Sequence, residues 1–289
     1  MNSSSTTEQN DALRAGLLGM WSSVSNGWEA NADFIDLRSA ALTERMISET
    51  KPRPGESVLE LACGPGGPGF AASPLVGTDG KVVVSDFSPE MTAIAARRAT
   101  DRELGNVSAR VLDLENIDAA DDSFDVVLCR EGLMLVPDPD RAAREICRVL
   151  RPGGRASIAV WGPRANNPWL SVVFDVVSAQ LGAPVPPPGL PQPFSLDDAD
   201  RFHTILTDAG LDDVEVATAP SPYKAASVEE WWNRTLALAG PLANVVATLP
   251  PEAKEELRAR AEEAIGEYVS ADGLNVPGET LLASARVRR

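Results

Sequence analysis

Short apolar runs alternate with amphipathic stretches between residues 57 and 161. "SVLEL" (57–61), "KVVVSD" (81–86), "VSARVL" (107–112), "FDVVLC" (124–129) and "RASIAVW" (155–161) have the length and apolar or β-branched content of strands. After the second run, "SPEMTAIAARRATDREL" places Ser88 at a helix N-cap and Pro89 at the first helical position. Asp138 and Pro139 take the same parts ahead of "DRAAREICRVL", where Ala142, Ile146 and Val149 form a buried stripe at helical spacing and "RPGG" stops the helix. Strands separated by helices imply right-handed crossovers and a parallel sheet covered on both faces. Such sheets bind ligands at the carboxyl ends of their strands. That rim carries residues 63–67, Asp86, Asp113 and residues 129–132.

The pattern changes after residue 161. "NPWLSVVFDVVSAQLG" (167–182) reads as a helix, "APVPPPGLPQP" as a proline-rich linker, and "DDADRFHTILTDAGL" as an amphipathic helix with a glycine stop. "DVEVAT" (213–218) and "ETLLASARV" (279–287) supply a sixth and a seventh strand. Between them lie helical patterns over 228–249, ended by Pro250 and Pro251, and over 252–269. The opening "MNSSSTTEQND" is polar and reads as a disordered tail without the order of a signal peptide. The chain therefore divides into a tail with N-terminal lid helices (1–50), a nucleotide-binding core (51–161), and a segment (162–289) with the remaining strands, a core helix and further lid helices.

Composition narrows the function classes. Of 289 residues 44% are apolar and 24% charged, a globular mix, and no stretch reaches the ~20 apolar residues of a membrane span. A net charge of −16 with no basic cluster argues against nucleic acid and anionic membranes as partners, leaving a small-molecule substrate in a cytoplasmic setting. Oligomeric state has no signature in the sequence. Three cysteines without C-x-x-C spacing argue against a disulfide framework or structural zinc. Cys63 and Cys129 read as buried fillers, and the single His203 sits in a helix away from the rim, so no metal site is expected.

The rim loop is the candidate chemistry. Gly64, Gly66 and Gly69 satisfy G-x-G-x-x-G, which cradles a pyrophosphate with backbone N–H groups. Pro65 and Pro68 each remove one such donor, and Glu60 adds negative charge beside the anion's place. Asp86 follows Gly66 by 20 residues, the spacing of a ribose-hydroxyl acceptor in several nucleotide cofactors, and Asp113 adds a third carboxylate. S-adenosylmethionine carries an ammonium and a sulfonium and no phosphate, so the electrostatics favour it. An NAD-dependent oxidoreductase is the alternative they oppose.

In order along the chain, "VLELACGPGG", "VVVSDFSPEM", "RVLDLENI", "FDVVLCREGLMLVPDPDRAAREICRVLRPGG" and "AVWG" resemble the successive motifs of class I S-adenosylmethionine-dependent methyltransferases. The likeness is greatest to the branch with ubiquinone/menaquinone-biosynthesis enzymes and bacterial small-molecule methyltransferases, and it covers residues 20–161 best. It implies an α/β, Rossmann-like, mostly parallel seven-stranded sheet with a helical lid from the N-terminal segment and C-terminal insertions. It also implies a cofactor site: Glu60 at the methionine end, Ala62 at the cofactor, Gly64, Pro65 and Gly66 at the ribose and sulfur, and Asp86 on the ribose diol. Phe87 and Met91 would lie beside the adenine, Asp113 and Leu114 at its edge, and Arg130 in the pocket wall. Pro65 departs from the Thr or Ser common in the family, and Pro74 is expected to shorten or kink the first core helix.

Arg130 and Glu131 are the catalytic candidates. "CREG" stands where adenine and amide methyltransferases carry Asp/Asn-Pro-Pro-aromatic, which favours an oxygen or carbon acceptor. Glu131 would take a proton from a phenol, enol or acidic carbon and Arg130 would steady the oxyanion; an ion pair shaping the pocket is the competing reading. Trp21 and Trp28, seven residues apart, fall on one helical face as core packing or as a lid over the substrate. A cofactor-bound protein that does not methylate, a cyclase or binding module, is the second alternative.

Overall fold

The computed structural model describes residues 3–288, with side-chain environments from Ala12 onward. Strands β1 (Ser57–Leu61), β2 (Lys81–Asp86), β3 (Val107–Val111), β4 (Phe124–Arg130) and β5 (Leu150–Trp161) pair in parallel in the order β3-β2-β1-β4-β5. β6 (Asp212–Pro220) is followed by β7 (Tyr223–Ala225), β8 (Val269–Ser270) and β9 (Gly273–Val276), which form a separate three-stranded sheet in the order β7-β9-β8. β10 (Glu279–Arg286) runs antiparallel between β5 and β6 and completes the seven-stranded sheet. The sheet is thus α/β and mostly parallel, as the strand–helix alternation predicts.

The chain leaves β3 and crosses to β4 on the other side of β1, which opens a crevice above the carboxyl ends of β1 and β4. β1 lies inside the sheet between β2 and β4, with Val58, Leu59 and Leu61 buried on both faces.

Helices α1 (Ser3–Ser23), α2 (Ser25–Ala30), α3 (Ala32–Arg38) and α4 (Ala40–Thr50) precede the sheet, and α5 (Pro68–Val76), α6 (Pro89–Asp101) and α7 (Pro139–Val149) are its crossovers. α8 (Pro168–Leu181) and α9 (Ala199–Asp208) lead into β6, and α10 (Val228–Leu238), α11 (Gly240–Ala247) and α12 (Pro251–Ile265) separate β7 from β8. One face of the sheet packs Leu59, Val127 and Ile158 against Ile146 of α7 and Phe202 of α9. The other packs Val58, Val126 and Leu128 against Met46 of α4 and Phe70 and Val76 of α5. A third core joins Trp169, Trp231, Leu242, Leu257 and Ile265, tying α8, α10, α11 and α12 into one body above the crevice.

Local signals place most ends correctly. Ser88 caps α6 through the Met91 N–H (3.3 Å) and Asp138 caps α7 through the Arg141 N–H (2.8 Å). α5 is short and contains Pro74.

Several boundaries differ from the sequence reading. β5 begins at Leu150 and takes in "RPGG", with a register shift against β4 between Phe124 and Val126. α1 begins at Ser3, so the expected tail is helical from there, and Met1 and Asn2 lie outside the described residues. The 228–249 pattern splits at Ala239, where Gly240 and Pro241 open α11. Pro251 starts α12 rather than ending its predecessor, because proline at the first position costs no intrahelical bond. α12 ends at Ile265, and the 269–276 stretch becomes a hairpin paired with β7. No described helix is long and apolar enough to cross a membrane.

Candidate functional site

Beyond Leu61 the chain turns through left-handed Ala62 (φ 50°) and Gly64 (φ 53°) into α5. Its amide donors are consumed inside the protein. Cys63 donates to the Ser85 carbonyl and Gly66 to the Cys63 carbonyl, each at 2.8 Å. Gly64 donates to Asp86 Oδ2 at 2.9 Å and Gly69 to Glu60 Oε2 at 2.8 Å. Pro65 and Pro68 have no N–H to give. The start of α5, where a pyrophosphate would sit, already holds the Glu60 carboxylate, so the loop is unsuited to a dinucleotide. Glu60 is only 1% exposed, and burial pushes its carboxyl up to about 7, against the opposing pull of Arg130 and the Gly69 and Gly67 amides.

Asp86, at the end of β2, accepts the Gly64 and Ser88 N–H groups at 2.9 Å each. Burial raises its pKa, and the backbone donors oppose that rise. Asp113, just past β3, accepts the Glu115 N–H through Oδ1 at 2.9 Å and pairs through Oδ2 with Arg14 of α1. Arg14 also pairs with Glu115, which is 2% exposed and accepts the Asp138 N–H. One guanidinium thus ties α1 across the rim.

A single cavity takes in Ala62, Gly64, Asp86, Phe87, Met91, Asp113, Leu114, Arg130 and Glu131 from the sheet rim, with Trp21 and Trp28 opposite. Glu60, Pro65 and Gly66 do not line it. Glu60 braces the loop from below, the Pro65 carbonyl accepts Arg98 at 2.6 Å, and a side chain on Gly66 would strike the Phe70 ring at 2.2 Å. Trp21 and Trp28 share no continuous helix, because the chain breaks near Val24 between α1 and α2. They meet edge to face with centroids 6.4 Å apart, and the Trp28 indole donates to the Leu238 carbonyl at 3.0 Å. Arg130 donates to Thr43 Oγ1 at 3.0 Å and forms no ion pair with Glu131 among the described residues. Glu131 is left-handed (φ 58°), with its carboxylate accepting from the Thr280 hydroxyl at 3.5 Å.

The Cys63 and Cys129 thiols are buried and pushed up, Cys129 to about 12, so both are neutral fillers. His203 is exposed on α9. Among the described residues no group of three or more His, Cys, Asp or Glu could hold a metal ion.

Residues 52–172 match the family model described as a methyltransferase domain. The chain is 34% identical over 161 residues to the ubiquinone/menaquinone biosynthesis C-methyltransferase UbiE of Hahella chejuensis, covering 55% of this chain and 64% of that enzyme. It therefore spans just under two thirds of that relative's length. Against the arsenite methyltransferase of Halobacterium salinarum it is 31% identical, over 62% of this chain and 42% of the relative. The crystal structure of the YcgJ protein from Bacillus subtilis shares the fold, with a TM-score of 0.59 and 19% identity over 86% of this chain and 98% of that one.

Around the rim the lid contributes cavity residues that no motif signals: Arg14, Arg38, Tyr223 and Thr235, with Trp161 and Trp169 at the end of the core. Trp169 stacks on Tyr223 (centroids 5.5 Å, 17°) and meets Trp161 edge to face at 5.4 Å. The one usable sequence signal is Glu115 in "RVLDLENI", a second carboxylate two residues past Asp113.

Proposed function

We propose that the protein transfers a methyl group from S-adenosylmethionine to an oxygen or carbon of a small organic acceptor. The observation that carries this reading is one cavity that joins Asp86, Asp113 and Arg130, whose guanidinium lies against Gly67 of the loop, to Glu131 and an aromatic wall. The cofactor supplies an electrophilic methyl carbon on a sulfonium, and the C–S electron pair returns to sulfur as the acceptor bond forms. Asp86, with its loop-facing oxygens fixed by two backbone amides, suits the ribose diol, with Phe87 and Met91 beside the adenine and Asp113 and Leu114 at its edge. Glu60 acts beneath the loop and holds it in shape. At the acceptor end Glu131 takes the proton from an enol, phenol or acidic carbon, and Arg130 steadies the negative charge that results. Enclosure by the Trp21–Trp28 pair excludes water and aligns the two reactants, the larger part of what an in-line displacement needs.

Thermal denaturation with S-adenosylhomocysteine and with NADH tests the cofactor half. Stabilisation by S-adenosylhomocysteine is expected; stabilisation by NADH alone would overturn the reading in favour of an oxidoreductase. Labelled methyl transfer to a panel of phenols, enols and activated methylenes tests the other half. Cofactor binding without transfer to any of them would point to a cyclase or binding protein.

A further inference from the structure

Four buried side-chain polar atoms lack a hydrogen-bond partner among the described residues: Arg38 Nε, Trp161 Nε1, Tyr223 Oη and Thr235 Oγ1. All four residues line the cavity. A buried polar group left unpaired costs about 1–3 kcal/mol, so their concentration in one wall marks a surface built to meet a ligand. Tyr223 is 1% exposed and Thr235 2%.

Arg38 is the charge in that wall. Its guanidinium lies 3.9 Å over the Trp169 ring centroid and 5.2 Å from that of Tyr223. A long hydrogen bond to the Ser221 carbonyl, 3.3 Å, holds it from behind. Glu131 acts on it electrostatically without pairing with it, and burial lowers its pKa. A desolvated guanidinium without an ion-pair partner is costly, and an anion beside it recovers that cost. The Tyr223 hydroxyl stands in the same field beside Arg38, with the Arg234 and Thr235 side chains next to it, and its own proton is available to an acceptor in the cavity. The half-buried Trp161, with Phe194 beside it (centroids 5.9 Å), suits a ring rather than a chain.

We propose that Arg38 and Tyr223 form an oxyanion subsite for the acceptor. The acceptor is a planar, conjugated acid whose ionised carboxylate or enolate oxygen accepts hydrogen bonds from Arg38 Nε and the Tyr223 hydroxyl, with its ring against Trp161. This assignment rests on the reading of the cavity as a methyl-acceptor pocket.

Calorimetric titration of the full chain tests it, with and without saturating S-adenosylhomocysteine. The probes are 2-naphthoate against neutral 2-naphthamide for the carboxylate, and 4-hydroxycoumarin against coumarin for the enolate. At least one anion is expected to bind tenfold or more tightly than its neutral counterpart. Arg38→Gln should abolish that preference while leaving S-adenosylhomocysteine affinity unchanged, Arg38→Lys should restore part of it, and Tyr223→Phe should reduce it. Equal binding of anion and neutral probe, binding of neither anion, or a preference that survives Arg38→Gln would each overturn the proposal. Should Arg38→Gln fail to fold, the wild-type comparison with Arg38→Lys and Tyr223→Phe decides: an undiminished preference in both variants overturns it. If S-adenosylhomocysteine does not bind the wild type, the methyltransferase reading fails by itself, and the preference measured without it still decides the subsite.

Discussion

The Glu60 carboxylate accepts the Gly69 amide at 2.8 Å from the buried side of the glycine loop. The anion that the start of α5 would otherwise attract is therefore part of the chain. A phosphate-bearing cofactor would meet the Glu60 carboxyl and two prolines there, with the one guanidinium of Arg130 against Gly67, whereas a sulfonium nucleoside asks nothing of those donors.

That contact has a pH signature. Burial holds the Glu60 carboxyl at about 7 against an ordinary 4.5, so the folded protein binds this proton more tightly than the unfolded chain does. Its contribution to stability is full below pH 4.5 and is lost as the pH rises through 7. Glu60→Gln keeps a neutral acceptor for Gly69 and removes the titration. The wild-type advantage is expected to fall by up to about 3 kcal/mol across that window, measured by urea unfolding at a series of pH values. Parallel profiles for the two proteins would show that Glu60 is already ionised throughout.

Asp86→Ala is expected to weaken S-adenosylhomocysteine binding at least tenfold, about 1.4 kcal/mol. Because it also strands the Gly64 and Ser88 amides, Asp86→Asn serves beside it, keeping one acceptor while losing the charge. Calorimetry reads both. Unchanged affinity in the alanine variant would move the ribose site elsewhere.

Arg14 bridges residues 99 and 101 positions away, and its partner Glu115 is almost wholly buried. Arg14→Ala should release α1 from the rim. Hydrogen exchange over residues 12–23 is expected to quicken at least fivefold, about 1 kcal/mol of local stability, with the sheet unaffected. Equal exchange in both proteins would mean that apolar packing of Leu17 and Met20 alone seats the helix.

Glu131→Gln separates proton transfer from positioning. With an un-ionised phenol or enol as acceptor, kcat should drop roughly a hundredfold, and raising the pH until the acceptor ionises should restore it. A loss that no pH recovers would make Glu131 a positioning residue instead.

Much of the fold and part of the site are legible in adjacent residues. Short apolar and β-branched runs, the Ser88 and Asp138 caps and the Gly/Pro loop encode local backbone preferences, and these determined the sheet, its crossover helices and the rim on which Asp86 and Asp113 stand. Helical periodicity also favoured a lid, yet it ran 228–249 together and hid β8 and β9, because two- and four-residue strands carry almost no periodic signal. Only packing decided which side chains meet across large separations. Arg14 reaches Asp113 over 99 positions, and Arg38 reaches Ser221 beside Tyr223 over 183. Nothing near either arginine in sequence announces its partner, since a long, flexible side chain is oriented by the body it packs against rather than by its own helix. The strand–loop pattern therefore determined the rim that carries Asp86 and Asp113, whereas the wall of Arg38 and Tyr223 exists only in the tertiary structure.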